Sequence, residues 1–220
     1  LMDQMACSVG GMIHIDFKNP EEPVVEKVPS DFEAYQYSLC IVDTKASHAD
    51  LTDDYAQIPA DMKKVAKFFK KNFLREVPEE EFYNQISAMR GLLGDRPVLR
   101  AIHFMEEETR VQKEVDSLKA GDFKGFLELV KESGNSSFKY LQNVYSVKNL
   151  SRQEMAVGLA FSDVILKGRG VSRVHGGGFA GTIQAFVPND IVDIYKKNME
   201  DIFGPVSYTH LRAHETRHDL

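Results

Sequence analysis

Only two cysteines, Cys7 and Cys40, occur in the 220 residues, and they form no metal-ligand spacing. Both sit in apolar surroundings and read as small core residues. No basic stripe is present: 27 Lys and Arg face 33 Asp and Glu, the formal net charge is -6, and the signs are mixed throughout. That balance argues against a nucleic-acid partner, which needs clustered positive charge. No apolar run approaches the roughly 20 residues that span a bilayer. The first residues also lack the basic start and cleavage site of a signal peptide, so no membrane partner and a cytoplasmic location are expected. Internal repeats, low-complexity stretches and a methionine at position 1 are missing too. What remains is ordinary globular usage, 43% apolar and 27% charged, with length for one substantial core or two small ones.

The order of elements predicts an α+β fold, a mostly antiparallel sheet flanked by helices. Met2 to Val9 reads as a short helix closed by Gly10-Gly11, followed by a strand from Met12 to Phe17 and a turn at Asn19-Pro20. Tyr37 to Asp43 is the clearest early strand, rich in aromatic and β-branched residues. Helical spacing follows at Met62, Val65 and Phe69, and again at Ala101, Phe104, Val111, Val115 and Leu118. Gly121-Asp122 ends that helix and caps the next, whose face is Phe123, Phe126, Leu127 and Val130. Ser151 to Glu154 predicts a capping box for a helix carrying Met155, Leu159 and Leu166 and stopping at Gly168. Strands are predicted at Ser172 to Val174 and Thr182 to Val187, then a helix from about Asp190 to Phe203.

Beyond the stop signal Gly204-Pro205, residues 206–220 carry three of the seven histidines and no apolar periodicity. On a helix His210, His214 and His218 would align at i, i+4 and i+8 in superficial likeness to a metal site. The stretch resembles translated sequencing-adapter read-through instead, so no metal is expected there and the tail reads as non-native. By the same reading Leu1 is where an assembled piece begins, and the chain is an interior fragment of a longer protein.

The strongest local signal is RVHGGGFAGTIQAFVP. Gly176, Gly177 and Gly178, then Phe179, Ala180 and Gly181, leave four of six positions without side chains, so the backbone can approach a ligand and aim N–H groups at an anion. A tight strand connection, or room for passing helices, explains the glycines equally well. No lysine follows as in a phosphate loop, and the run precedes a strand where a dinucleotide fingerprint needs a helix.

MDQ near a helix start and RVHGGGFAG some 170 residues later, just before a strand, together resemble the galacto-, homoserine, mevalonate and phosphomevalonate (GHMP) sugar kinases, and among them the galactokinases. LCIVDTKASHADLTDDYAQIPADM and RAIHFMEEETRVQKEVDSLKAGDFKGFLELVKES are similar to the intervening segments of that family, and the resemblance runs from Leu1 to about Pro205. It implies residues 1–45 as the end of an N-terminal domain, 46–205 as the C-terminal domain and 206–220 as foreign. Asp3 matches the catalytic aspartate, a carboxylate that a helix N-terminus keeps ionised and that can accept or orient the sugar's C1 hydroxyl. Read without the resemblance, Asp3 would be a helix cap. Tyr55 matches the tyrosine that hydrogen-bonds the sugar, with a packed tyrosine as the alternative; Asp53 and Asp54 beside it are placed to face the sugar too, but read more safely as solvated helix-start acids. Gly176, Gly177, Gly178, Phe179 and Gly181 match the family's glycine-rich motif near the active site. Ala180 departs from a frequent glycine, at little cost if its φ is negative, and His175 from a commoner threonine. A packed or hydrogen-bonded loop histidine is the plainer reading of His175.

The resemblance further implies galactose and ATP as partners and Mg2+ as cofactor, with the phosphate loop, magnesium ligands and several sugar ligands lying upstream of MDQ. The chain alone is therefore expected to be inactive, while its parent phosphorylates galactose at C1. Two alternatives stand beside this: a galactose- and ATP-bound regulator with weak catalysis, and a kinase for a related sugar.

Overall fold

The computed structural model describes residues 2–46, 51–205 and 208–211, and of these the side chains of all but 2–4, 6 and 208–211. In chain order the elements are α1 (Met2–Val9), β1 (Met12–Asp16), β2 (Val24–Val28), β3 (Tyr37–Asp43), α2 (Thr52–Phe68), α3 (Glu79–Asn84), α4 (Ile86–Leu93), α5 (Asp95–Lys119), α6 (Phe123–Ser136), α7 (Glu154–Leu166), β4 (Val171–Val174), β5 (Thr182–Pro188), α8 (Val192–Phe203) and β6 (Tyr208–Leu211). A π-helical turn, Ser137–Leu141, continues α6. Among the described residues no helix is long and apolar enough to cross a membrane.

Among the described residues two small sheets form, both wholly antiparallel: the hairpin β1-β2, and a four-stranded sheet in the order β4-β5-β3-β6. This helix-rich α+β arrangement is the fold class read from the sequence. β3 joins residues 37–43 to a sheet otherwise built from residues 171–211, opposing β5 from Tyr37↔Pro188 to Asp43↔Thr182. Its alternation places Ser38, Cys40 and Val42 inside, as a strand's period of two requires.

Both faces of that sheet are covered. One packs Cys40, Val42, Ile183, Ala185 and Val187 against Met155 and Leu166 of α7 and Tyr195 and Met199 of α8. The buried Tyr195 hydroxyl is satisfied by Ser162 Oγ at 2.8 Å. The other packs Val171 and Phe186 against Val115 and Leu118 of α5 and Phe123, Phe126, Leu127 and Val130 of α6. A third core, including Val65, Phe82, Met89, Val98 and Ala101, locks α2 to α3, α4 and α5. Each fully buried side chain of this size contributes about 1.5–3 kcal/mol, so α2, which carries Tyr55, is held firmly.

Several expectations change. Cys7 is exposed, because α1 packs on β1 and leaves it uncovered, while Cys40 is buried as expected. The capping box does not form: Ser151 Oγ donates to Asn149 Oδ1 at 2.8 Å, Glu154 takes Arg152 Nε at 2.5 Å, and the N-cap of α7 is Gln153, which makes no side-chain cap bond. Local partners outcompete the helix end. Asp122 does cap α6, accepting from the Gly125 amide at 2.9 Å. β2, α3, α4 and the π turn had no clear sequence signal. The predicted final helix starts as a 3-10 turn at Asn189–Ile191 before α8. In the tail, Tyr208–Leu211 pairs with β3 although its own pattern predicts no strand, since the open edge of β3 offers unpaired backbone groups.

Candidate functional site

Asp3 lies in α1, and its side chain falls outside the described residues. The other site candidates are brought together. α2 delivers Tyr55 in its first turn, and residues 175–181 link β4 to β5 beside it. The Tyr55 hydroxyl donates to the Gly178 carbonyl oxygen at 2.7 Å. Its ring meets Phe179 edge-on, with centroids 5.4 Å apart, and a Cβ on Gly177 would stand 2.9 Å from the same ring. Burial pushes the Tyr55 pKa up, which keeps the hydroxyl a donor.

The loop backbone is tightly specified. Gly176, Gly178 and Gly181 have φ of +76°, +85° and +97°, and Phe179 also lies in the left-handed region at +59°. A non-glycine residue there costs on the order of 1 kcal/mol or more. Burial of Phe179 against Leu51, Ala180, Tyr55 and Ile58 offsets it. Ala180 is outside the left-handed region, so the alanine fits without strain. Thr44 anchors the loop's far end, giving the Gly181 carbonyl both its amide, at 3.0 Å, and its hydroxyl, at 2.8 Å. His175 is a hydrogen-bonded loop histidine, its Nδ1 3.0 Å from Thr182 Oγ1.

The acids at the start of α2 differ from each other. Asp53 is exposed and takes Lys148 Nζ at 2.9 Å. Asp54, expected to be solvated, is buried and accepts from Ser146 Oγ at 3.0 Å, because the segment after the π turn folds over that helix end.

Asn143 was not singled out from the sequence. It follows Gln142, whose φ of +59° turns the chain sharply out of the π turn. Its Nδ2 donates to the Gly177 carbonyl at 3.2 Å, and its own carbonyl accepts the Phe179 amide at 2.5 Å. Behind it, Arg100 Nε donates to the Leu141 carbonyl at 3.2 Å, and Arg100 Nη1 to Asp61 Oδ2 at 2.8 Å. Burial alone would push the Asp61 carboxyl up, but hydrogen bonds from Arg96 and Lys64 hold it below its usual value. The arginine of RAIH was visible in the sequence; its partners in α2 and the π turn were not.

A second polar group lies along α5. His103 Nδ1 is 2.9 Å from Ser136 Oγ, and Glu107 is bonded by Ser133 and Arg110, with Arg173 Nη1 at 3.8 Å. Glu114 and Arg173 line a cavity of about 200 Å³ with His14 and Gln184.

Toward an anion the loop is suitable. Among the described residues no acceptor takes the amides of the exposed Gly176 or Gly177, whereas those of Phe179 and Ala180 are bonded within the fold. N–H groups left exposed in this way can face an anion. The expected Mg2+ finds no cluster of three or more His, Cys, Asp or Glu side chains among the described residues.

No family model matches the chain. A galactokinase of Thermotoga petrophila is 29% identical over 206 residues, covering 90% of this chain and 54% of its own length. The crystal structure of Lactococcus lactis galactokinase complexed with galactose superposes with a TM-score of 0.66 at 22% identity, covering 90% of this chain and 49% of that one. L. major mevalonate kinase, solved with R-mevalonate, shares the fold at a TM-score of 0.53 and 14% identity, covering 96% of this chain and 50% of its own. Along nine-tenths of its length the chain matches the galactokinases of the GHMP kinase superfamily, and it spans about half the length of the curated relatives.

Proposed function

We propose that this chain supplies part of the sugar site of a galactokinase, which transfers a phosphoryl group from ATP to the C1 hydroxyl of galactose. The observation that carries this reading is the Tyr55 hydroxyl on the Gly178 carbonyl, which joins two segments 123 residues apart into one wall. With its proton given to the loop, the Tyr55 oxygen keeps lone pairs for a sugar hydroxyl. ATP supplies the phosphoryl group when bound. Phosphoryl transfer asks the protein chiefly for positioning and charge stabilisation. The amides of Gly176 and Gly177, which no acceptor takes among the described residues, suit negatively charged phosphate oxygens, and Asp3 holds or accepts the C1 hydroxyl proton.

The reading includes a cytoplasmic location, a foreign tail and no turnover by the chain alone. It also includes a domain division near residue 45, directly after β3, which limited proteolysis of the completed enzyme would test. The decisive experiment joins this chain to the N-terminal half of a homologous galactokinase and follows galactose 1-phosphate. Asp3→Asn is expected to lower kcat by roughly 10²- to 10⁴-fold. Undiminished turnover removes Asp3 from the mechanism.

A further inference from the structure

Asn143 is 4% exposed, and its Oδ1, Nδ2 and main-chain oxygen are all engaged by the glycine loop or by its own support. Its Oδ1 accepts from Ser137 Oγ at 2.5 Å, which fixes the amide so that Nδ2 points at the Gly177 carbonyl. Its main-chain oxygen holds the Phe179 amide, the residue in the left-handed conformation. The fit leaves no slack, since a Cβ on Gly178 would stand 2.0 Å from that oxygen. The support is equally rigid: the Gln142 amide returns to the Ser137 carbonyl at 2.8 Å, and Arg100 ties Leu141 to the buried Asp61. Tyr55 presses the loop from the other side through Gly177 and Gly178.

We propose that Asn143 is a positioning residue that sets residues 177–179 in the conformation presenting the exposed Gly176–Gly177 backbone and the Tyr55 oxygen to the ligand. This deepens the sugar-kinase reading and rests on it for the loop's role. The chemistry requires a carboxamide, because one side chain must accept from Ser137 and donate to Gly177 at once. An ionised aspartate only accepts, and would face the Gly177 carbonyl with like charge. A protonated aspartate donates again.

The test is amide hydrogen exchange in this chain, followed by NMR. Asn143→Ala is expected to lower protection of the Phe179 amide roughly tenfold, the effect of losing one buried hydrogen bond, while Val42 and Ala185 in the sheet keep theirs. Asn143→Asp should show the same loss at pH 7 and recover toward wild type, compared at equal pH, near the carboxyl pKa of about 4. Ser137→Ala, which leaves the carboxamide in place but unoriented, gives a smaller loss in the same direction if Asn143→Ala fails to fold. Unchanged Phe179 protection, equal loss at Val42 and Ala185, or no acid recovery of the aspartate variant overturns the proposal. In the completed enzyme, Asn143→Asp should raise KM for galactose more than it lowers kcat. Loop coupling seen by exchange in an enzyme that phosphorylates no galactose sinks the kinase reading and leaves the clamp standing.

Discussion

At φ +85°, Gly178 occupies backbone space that L side chains rarely enter, and its neighbour Asn143 leaves no room for a methyl group. Gly178→Ala is therefore expected to cost more than about 2 kcal/mol, by strain and displaced contacts together. Ala180 lies one peptide beyond the left-handed Phe179 and keeps an ordinary φ, so Ala180→Gly should stay within about 1 kcal/mol, mostly through the unfolded chain. Urea unfolding of both variants checks the pair. A neutral Gly178→Ala would mean that the loop has a second conformation of similar energy. The contrast also explains how the loop tolerates alanine at 180: the need for a missing side chain belongs to particular φ values and particular neighbours.

α5 is the element on which both polar clusters depend. It brings Arg96 and Arg100 to Asp61 at one end and His103, Glu107, Arg110 and Glu114 toward α6 and β4 further along. Asp61→Asn leaves the buried Arg100 without its carboxylate and should cost about 3–5 kcal/mol. The folded pKa of Asp61 is depressed, so its stabilisation is present above the unfolded carboxyl pKa of about 4 and is lost as pH falls through the folded value. The asparagine variant should show a flatter acid limb in denaturant midpoint against pH. Glu114 behaves oppositely. Burial pushes it up to about 7, with Glu107 adding to the rise and Arg173 and Arg110 opposing it. The folded state then holds a proton that the unfolded state releases, so stability falls as pH rises from about 4.5 toward 7. Glu114→Gln should abolish that decline and gain about 2 to 3 kcal/mol at pH 8, measured by the same titration.

Across the whole molecule, the described side chains of the two cores on either face of the sheet all precede residue 206. Removing residues 206–220 is expected to shift Tm by less than about 5 °C, while baring the backbone edge of β3 that β6 covers. Sedimentation should then show self-association, which Ile41→Pro on that edge is expected to suppress. A large loss of Tm would instead make the edge strand part of the folding unit. The same sheet accounts for which expectations survived. The strand at Tyr37–Asp43 and the Asp122 cap depend on residues close in the chain, and each formed as read, while the glycine run connects β4 to β5. Ser151 and Cys7 looked equally clear, yet nearby side chains diverted the first and no element covered the second.

The linear order of residues by itself determined the amphipathic helices, the central strand and the presence of a side-chain-poor loop, because propensity, period and glycine freedom act over a few residues. Only the tertiary structure decided that Tyr55 bonds Gly178, that Asn143 braces Gly177 and Phe179, and that Asp54 is buried while Asp53 is not. Partners separated by 34 to 123 positions leave no mark on local spacing; they meet because three apolar cores fix how α2, α5, α6 and the sheet stack.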